Sequence, residues 1–199
     1  LKLNDVISKI NQRSSKGACW MNYTWMNNET GIIWNLDSAV EIKKKCQISI
    51  HVDAVQTPGK FSHFRGLNIE LDSYTYSGHK FGALKGIGFS FFKKDCPPKT
   101  LIHGGGQQNK LRSGTLNTYG IFSLFGALTD HGDQVFKNIG IEKQRIEKLI
   151  KNNLNLLYIE NSSNNTLCFM HKTKRADVLF IHFDMAGLDV SMGSACSSG

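Results

Sequence analysis

The stretch ISIHVDAVQTPGK, residues 48–60, decides how this chain is read. ISIHVDA has the look of a short buried strand that ends in polar residues, with Asp53 at its carboxyl end. Upstream, NLDSAVEIKKKC (35–46) predicts a helix capped by Asn35 or Asp37, with Leu36, Ala39 and Val40 on one face. Further upstream, the β-rich ACWMNYTWM (18–26) leads into a polar turn, NNETG. Downstream, DSYTYSGHK (72–80) and GIGFSFF (86–92) read as strands on either side of a glycine-rich turn. Strands and helices therefore alternate, as they do in an α/β protein. From Asn117 to about Leu156 the pattern is helical with a break near Gly132, and IFSLFGAL (121–128) suits a buried helix. A β-like NTLCFMH (165–171), a helical RADVLFIHFDMAG (175–187) and a short strand complete the chain. The shift near 131–136 marks the expected domain boundary, dividing 1–135 from 136–199.

Composition narrows the function. The chain has 199 residues, 40% hydrophobic and 20% charged, as a soluble globular protein has. No apolar run reaches the roughly 18 residues that would span a bilayer. The net charge of +8 comes mostly from dispersed lysines, without the arginine-rich stripe and interleaved aromatics of a nucleic-acid module. The one basic run, Lys43–Lys45, falls where a helix should end, and so favours the helix dipole. Cysteines at 19, 46, 96, 168 and 196 are odd in number and lack a CxxC pair, which argues against a disulfide framework or structural zinc. No histidine lies in an HExxH pattern, so no metal site is expected. LKLNDVISKINQRSSKG has no apolar core of a signal peptide. A cytoplasmic location is expected, an organelle being the alternative.

Polar functional groups in α/β proteins gather beyond the carboxyl ends of strands, and three places fit. In HVDAVQ, Asp53 ends a strand and Gln56 follows by three, although an aspartate there also serves as a helix cap. In YSGHKFG (76–82), Lys80 follows a strand, where a buried ammonium is costly; it either reaches water or forms a Schiff base. In LIHGGGQQNKLRSGT (101–115), the glycines are a hinge, or else Arg-Ser-Gly-Thr receives an anion such as phosphate. The Walker and GxGxxG fingerprints are both absent. Cys196 stands near the end in SMGSACSSG (191–199), a stretch too poor in apolar surface for a core element.

Together HVDAVQTPGK, SYTYSGHKFGALKGIG, HGGGQQNKLRSGTLN and SMGSACSSG, with NNETG before them, resemble the ordered motifs of NifS/IscS-type cysteine desulfurases. These are fold-type I enzymes of the class-V aminotransferase group that use pyridoxal 5′-phosphate (PLP). The resemblance implies a mainly parallel sheet flanked by helices. Residues 1–135 would be part of the large PLP-binding domain, and 136–199 part of a smaller α+β domain. It implies that Lys80 forms the Schiff base with PLP, Asp53 pairs with the pyridine nitrogen and Gln56 meets the phenolic oxygen. Ser77 and His79 would bind the phosphate, Thr115 the phosphate of a homodimer partner, and Asn28 would lie near the ring and the substrate carboxylate. Cys196 would take sulfur from L-cysteine as a persulfide, leaving alanine, and pass it to an iron–sulfur scaffold or another acceptor. Related readings are a selenocysteine lyase, an aminotransferase, and a non-catalytic relative that binds a scaffold.

The resemblance also implies family parts outside these residues: a phosphate-binding turn and a ring-stacking histidine before Leu1, and a carboxylate-binding arginine after Gly199. KFGALKGIG has Leu84 where the family commonly has proline, which predicts a looser turn after Lys80.

Overall fold

Residues 2–14, 17, 19–61, 67–129, 133–160 and 162–193 are described by the computed structural model. They form two compact units, one of residues 1–25 and 34–131, the other of 26–33 and 132–199. The expected linear division was 1–135 and 136–199; in these units the segment 26–33 groups with the later residues.

In the first unit, helix α1 (Leu3–Ser14), which the sequence reading did not contain, precedes strand β1 (Trp20–Thr24). Helix α2 (Leu36–Cys46) follows. Asn35 rather than Asp37 caps it, its side-chain oxygen accepting the Asp37 N–H at 2.8 Å. Gln47, left-handed at φ 52°, ends it. Leu36, Ala39, Val40, Ile42 and Cys46 form its buried stripe. Each lysine of the 43–45 run has a carboxylate partner: Lys43 meets Asp72, Lys44 meets Glu70 and Lys45 meets Glu41. The buried Asp72 also accepts the Ile50 N–H at 2.8 Å, so one carboxylate ties α2 to the next strand.

That strand, β2 (Ser49–Asp53), is joined by β3 (Ser73–Ser77) and β4 (Gly88–Phe92). The sheet order is β1-β2-β3-β4, with the first three parallel and β4 antiparallel to β3. Ile50 and Val52 are wholly buried, as the period-2 pattern requires. Thr24, Asp53 and Thr75 stand in one register row. The carboxyl ends of the three parallel strands therefore share one edge of the sheet.

Helix α3 (Thr118–Thr129) buries only Gly120 and Leu124; Phe122 and Phe125 are exposed, contrary to the expected buried helix. Its packed face rests on the turn after β3, which covers one side only.

The second unit contains α4 (Asp133–Lys151), β5 (Leu156–Tyr158), β6 (Phe169–His171) and α5 (Ala176–Met185). β5 and β6 pair antiparallel. The helical reading ran on to Leu156, but cross-strand pairing draws 156–158 into a strand over local propensity. Residues 188–193 form no strand, so the short strand expected after 187 is absent among the described residues.

Candidate functional site

Two loops at the carboxyl edge of the sheet carry the polar groups. Beyond β2, Asp53 is exposed, and its Oδ1 accepts the Val55 N–H at 3.0 Å. The capping tendency of this aspartate is thus spent on a tight turn, not a helix, and Oδ2 is left for another donor. His51, behind it on the strand, bonds through Nδ1 to Ser73 Oγ at 2.7 Å. Burial pushes its pKa below the ordinary histidine value, against the opposing pull of the Asp53 carboxylate.

The chain then coils through residues 54–60. Thr57 N and Thr57 Oγ1 donate to Ala54 O at 3.0 and 2.9 Å, and Lys60 N donates to Thr57 O at 3.2 Å. Thr57 and Pro58 are completely buried, which fixes this coil. Gly59 has φ +74°, a left-handed conformation that folds Lys60 back over Gln56. The Lys60 Nζ donates to Gln56 Oε1. Lys60 is only 6% exposed. Burial first, and the nearby Lys80 ammonium second, push its ammonium down to about 8.

Beyond β3, residues Gly78–Phe81 form a single 3-10 turn that carries His79 and Lys80. Gly78 allows that turn to touch α3: a Cβ there would lie 2.9 Å from Leu124 Cδ2 and 3.0 Å from Ile87 O. Ser77 Oγ and His79 Nδ1 are 3.0 Å apart. Either atom can donate: if Nδ1–H donates to the serine, the Ser77 O–H is left for an anion, and if the serine donates to Nδ1, the His79 Nε2–H is left for it. Lys80 is exposed in the described structure. Of the two sequence alternatives for Lys80, its exposure agrees with an ammonium that reaches water, and the buried ammonium beside it is that of Lys60. Where the family commonly has proline, Leu84 brings a backbone donor. Leu84 N–H donates to Ser123 Oγ of α3 at 3.2 Å, a bond proline could not make.

The glycine stretch 104–106 is tied to its own loop. Ser113 is buried and donates from Oγ to Gly105 O at 2.8 Å, and its N–H donates to Ile102 O at 3.1 Å. One of the two hydroxyls expected for an anion is therefore committed to backbone. Thr115, after it, is exposed. Asn28 is exposed in the second unit, in a turn organised by its neighbour. Asn27 Oδ1 accepts from Glu29 N, Thr30 N and Thr30 Oγ1 at 3.0, 2.8 and 3.0 Å. Cys196 lies outside the described residues.

The structure thus brings Asp53, Gln56, Ser77, His79 and Lys80 to one sheet edge and adds Lys60, which sequence reasoning missed. Its signal was the i, i+4 spacing of Gln56 and Lys60 inside HVDAVQTPGK.

Over residues 2–198 the chain matches the family described as aminotransferase class-V. The chain belongs to that family. A cysteine desulfurase IscS of Dictyoglomus turgidum is 31% identical over 186 residues, covering 86% of this chain and 45% of the relative. A cysteine desulfurase of Cereibacter sphaeroides is 33% identical over 181 residues, covering 88% and 46%. The solved structure of a NifS-like protein from Rickettsia africae ESF-5 superposes with a TM-score of 0.80 at 26% identity, covering 98% of this chain and 55% of that one. The chain spans about half the length of these class-V relatives. Its fold is the NifS-like form of PLP fold type I, in part, as the sequence implied.

The donor set fits PLP in kind. Asp53 Oδ2 is an ionisable acceptor for a pyridinium N–H, and the Gln56 amide nitrogen is a donor for a phenolic oxygen. The Ser77–His79 pair leaves one donor for phosphate, the Ser77 O–H or the His79 Nε2–H, and Lys80 offers a primary amine to an aldehyde.

Proposed function

We propose that this chain is the central part of a PLP-dependent cysteine desulfurase that takes sulfur from L-cysteine and delivers it for iron–sulfur cluster assembly. The reading is carried by one observation: Asp53, Gln56, Ser77, His79 and Lys80 converge at one sheet edge in a fold whose relatives are cysteine desulfurases. Bound PLP supplies an electron sink that makes the bonds at the substrate α-carbon labile.

The chain's own residues do the rest. Asp53 holds a proton at the pyridine nitrogen, and Gln56 donates to the phenolic oxygen. Ser77 and His79 anchor the phosphate, with Thr115 reaching the phosphate of a partner subunit in a homodimer. Asn28 orients the substrate carboxylate. Lys80 would hold the cofactor through its amine and would move the proton at the substrate α-carbon. Cys196 acts as a thiolate on the substrate sulfur. The Cβ–S bond breaks and its electron pair stays with carbon, which takes up a proton and becomes the methyl group of alanine. The substrate sulfur becomes the outer atom of a persulfide on Cys196. In these terms residues 1–135 contribute the cofactor domain and 136–199 the domain bearing the cysteine.

The test uses the purified native protein with added PLP and L-cysteine. The yellow absorbance of lysine-bound PLP is expected and should be lost in Lys80→Ala. Cys196→Ser should keep the colour but form no persulfide and release no alanine at the wild-type rate. Normal alanine production by Cys196→Ser would overturn the assigned nucleophile.

A further inference from the structure

Gln56 can serve the cofactor only if its carboxamide nitrogen faces the phenolic oxygen. A free glutamine has no such preference, because its two ends are similar in size and swap by a rotation about the last side-chain bond. Lys60 removes that freedom. An ammonium donates hydrogen bonds and accepts none, so the carboxamide atom facing Nζ must be the oxygen. The nitrogen, with both N–H groups, is then the end presented elsewhere.

Lys60 is held for this task. Its backbone is fixed by the fully buried Thr57 and Pro58 and by the left-handed Gly59, and its side chain is nearly excluded from solvent. Of its three donors, Gln56 Oε1 is the one acceptor recorded among the described residues. A buried ammonium is an expensive way to hold a loop together, and an apolar side chain would fill the same space at lower cost. The cost is understandable if the charge acts on the site, and Lys80 lies within its electrostatic reach.

We infer that Lys60 is a positioning residue of the cofactor site, locking Gln56 so that its amide N–H groups face the phenolic oxygen of PLP. The inference rests on the PLP reading above. It acts through Gln56 and does not require Lys60 to touch the cofactor.

The experiment compares wild type, Lys60→Met, Lys60→Ala, Lys60→Arg, Gln56→Ala and Lys60→Met/Gln56→Ala as native protein titrated with PLP. Absorbance maximum and PLP dissociation constant are read, and circular dichroism reports folding. Lys60→Met and Lys60→Ala should each shift the maximum in the same direction as Gln56→Ala and weaken PLP binding by roughly tenfold. The double variant should be no worse than Gln56→Ala alone, because both changes remove one interaction. Lys60→Arg, also donor-only, should retain the wild-type maximum. Two variants lacking the ammonium keep the test sound if one of them folds poorly. Unchanged maximum and affinity in both, or full additivity in the double variant, overturns the role of Lys60 while leaving the PLP reading intact. A wild type that takes up no PLP overturns both.

Discussion

A lysine that folding removes from water must either find partners or lose its proton, and Lys60 finds the Gln56 carboxamide oxygen. Its pKa falls from 10.5 to about 8 in the folded state, chiefly through burial. The sign follows directly. Between about pH 8 and 10 the unfolded chain holds this proton and the folded one does not, so stability rises with pH through that window. Below it both states are charged, and the full penalty, on the order of 3 kcal/mol, is present. Lys60→Met should therefore be more stable than wild type near pH 7, with the advantage shrinking as pH approaches 10. Urea unfolding at several pH values measures it. The difference between the two proteins is the quantity to follow, because the buried Tyr23 and Tyr74, pushed up to about 12, cancel in it. A difference that does not change with pH would contradict the depressed pKa. The placement of Asp53, Gln56 and Lys80 at or just beyond strand ends was legible in the sequence, because each follows a strand-like run. Lys60 was not, because its burial comes from a coil in which three successive residues pack and one is left-handed.

At the scale of elements, the turn after β3 is set by what α3 allows. Gly78 leaves no room for a methyl group between Leu124, Ala83 and Ile87 O, and Leu84 N–H clasps Ser123 on the same helix. Gly78→Ala must therefore move α3 or the turn. It should cost about 1–3 kcal/mol in urea unfolding, and the PLP affinity of the native protein should fall with it. Wild-type stability in that variant would show that α3 is free to retreat. Strand β2 could be read from sequence because its alternation and β-branched residues agree with its burial, Ile50 and Val52 being wholly buried. The exposed face of α3 could not, since apolar composition reports what a helix could bury and not how much of it a neighbour covers. The missing proline had a similar blind spot: the rule counts the rigidity lost at Leu84 and overlooks the donor gained.

Across the whole chain, the segment 26–33 belongs with residues more than a hundred positions later, and a buried lysine explains how they are joined. Lys143 of α4 is 9% exposed, and its Nζ donates to Ser162 Oγ at 2.6 Å, Ser163 O at 2.8 Å and Ser162 O at 3.2 Å. Glu147, one turn further along the helix, balances the charge at 3.4 Å. The loop so anchored receives the early segment: Ser163 N donates to Gly31 O at 2.8 Å, and Ile32 forms a bridge with Ser162. No sequence pattern announces such a joint, because its donors are one lysine and its acceptors are mostly backbone carbonyls. Lys143→Met should leave those carbonyls unpaired, at about 1–3 kcal/mol for each one that water cannot reach. Hydrogen exchange should then accelerate at least tenfold in 26–33 and 162–166 together, while the β2–β3 pair keeps its wild-type rates. Acceleration confined to 162–166 would mean that the early segment is held by something other than the loop that Lys143 anchors. The joint also bears on function, since Asn28 lies within the segment it holds. Loss of Lys143 should therefore raise the KM for L-cysteine more than it weakens PLP binding, if Asn28 orients the substrate as proposed.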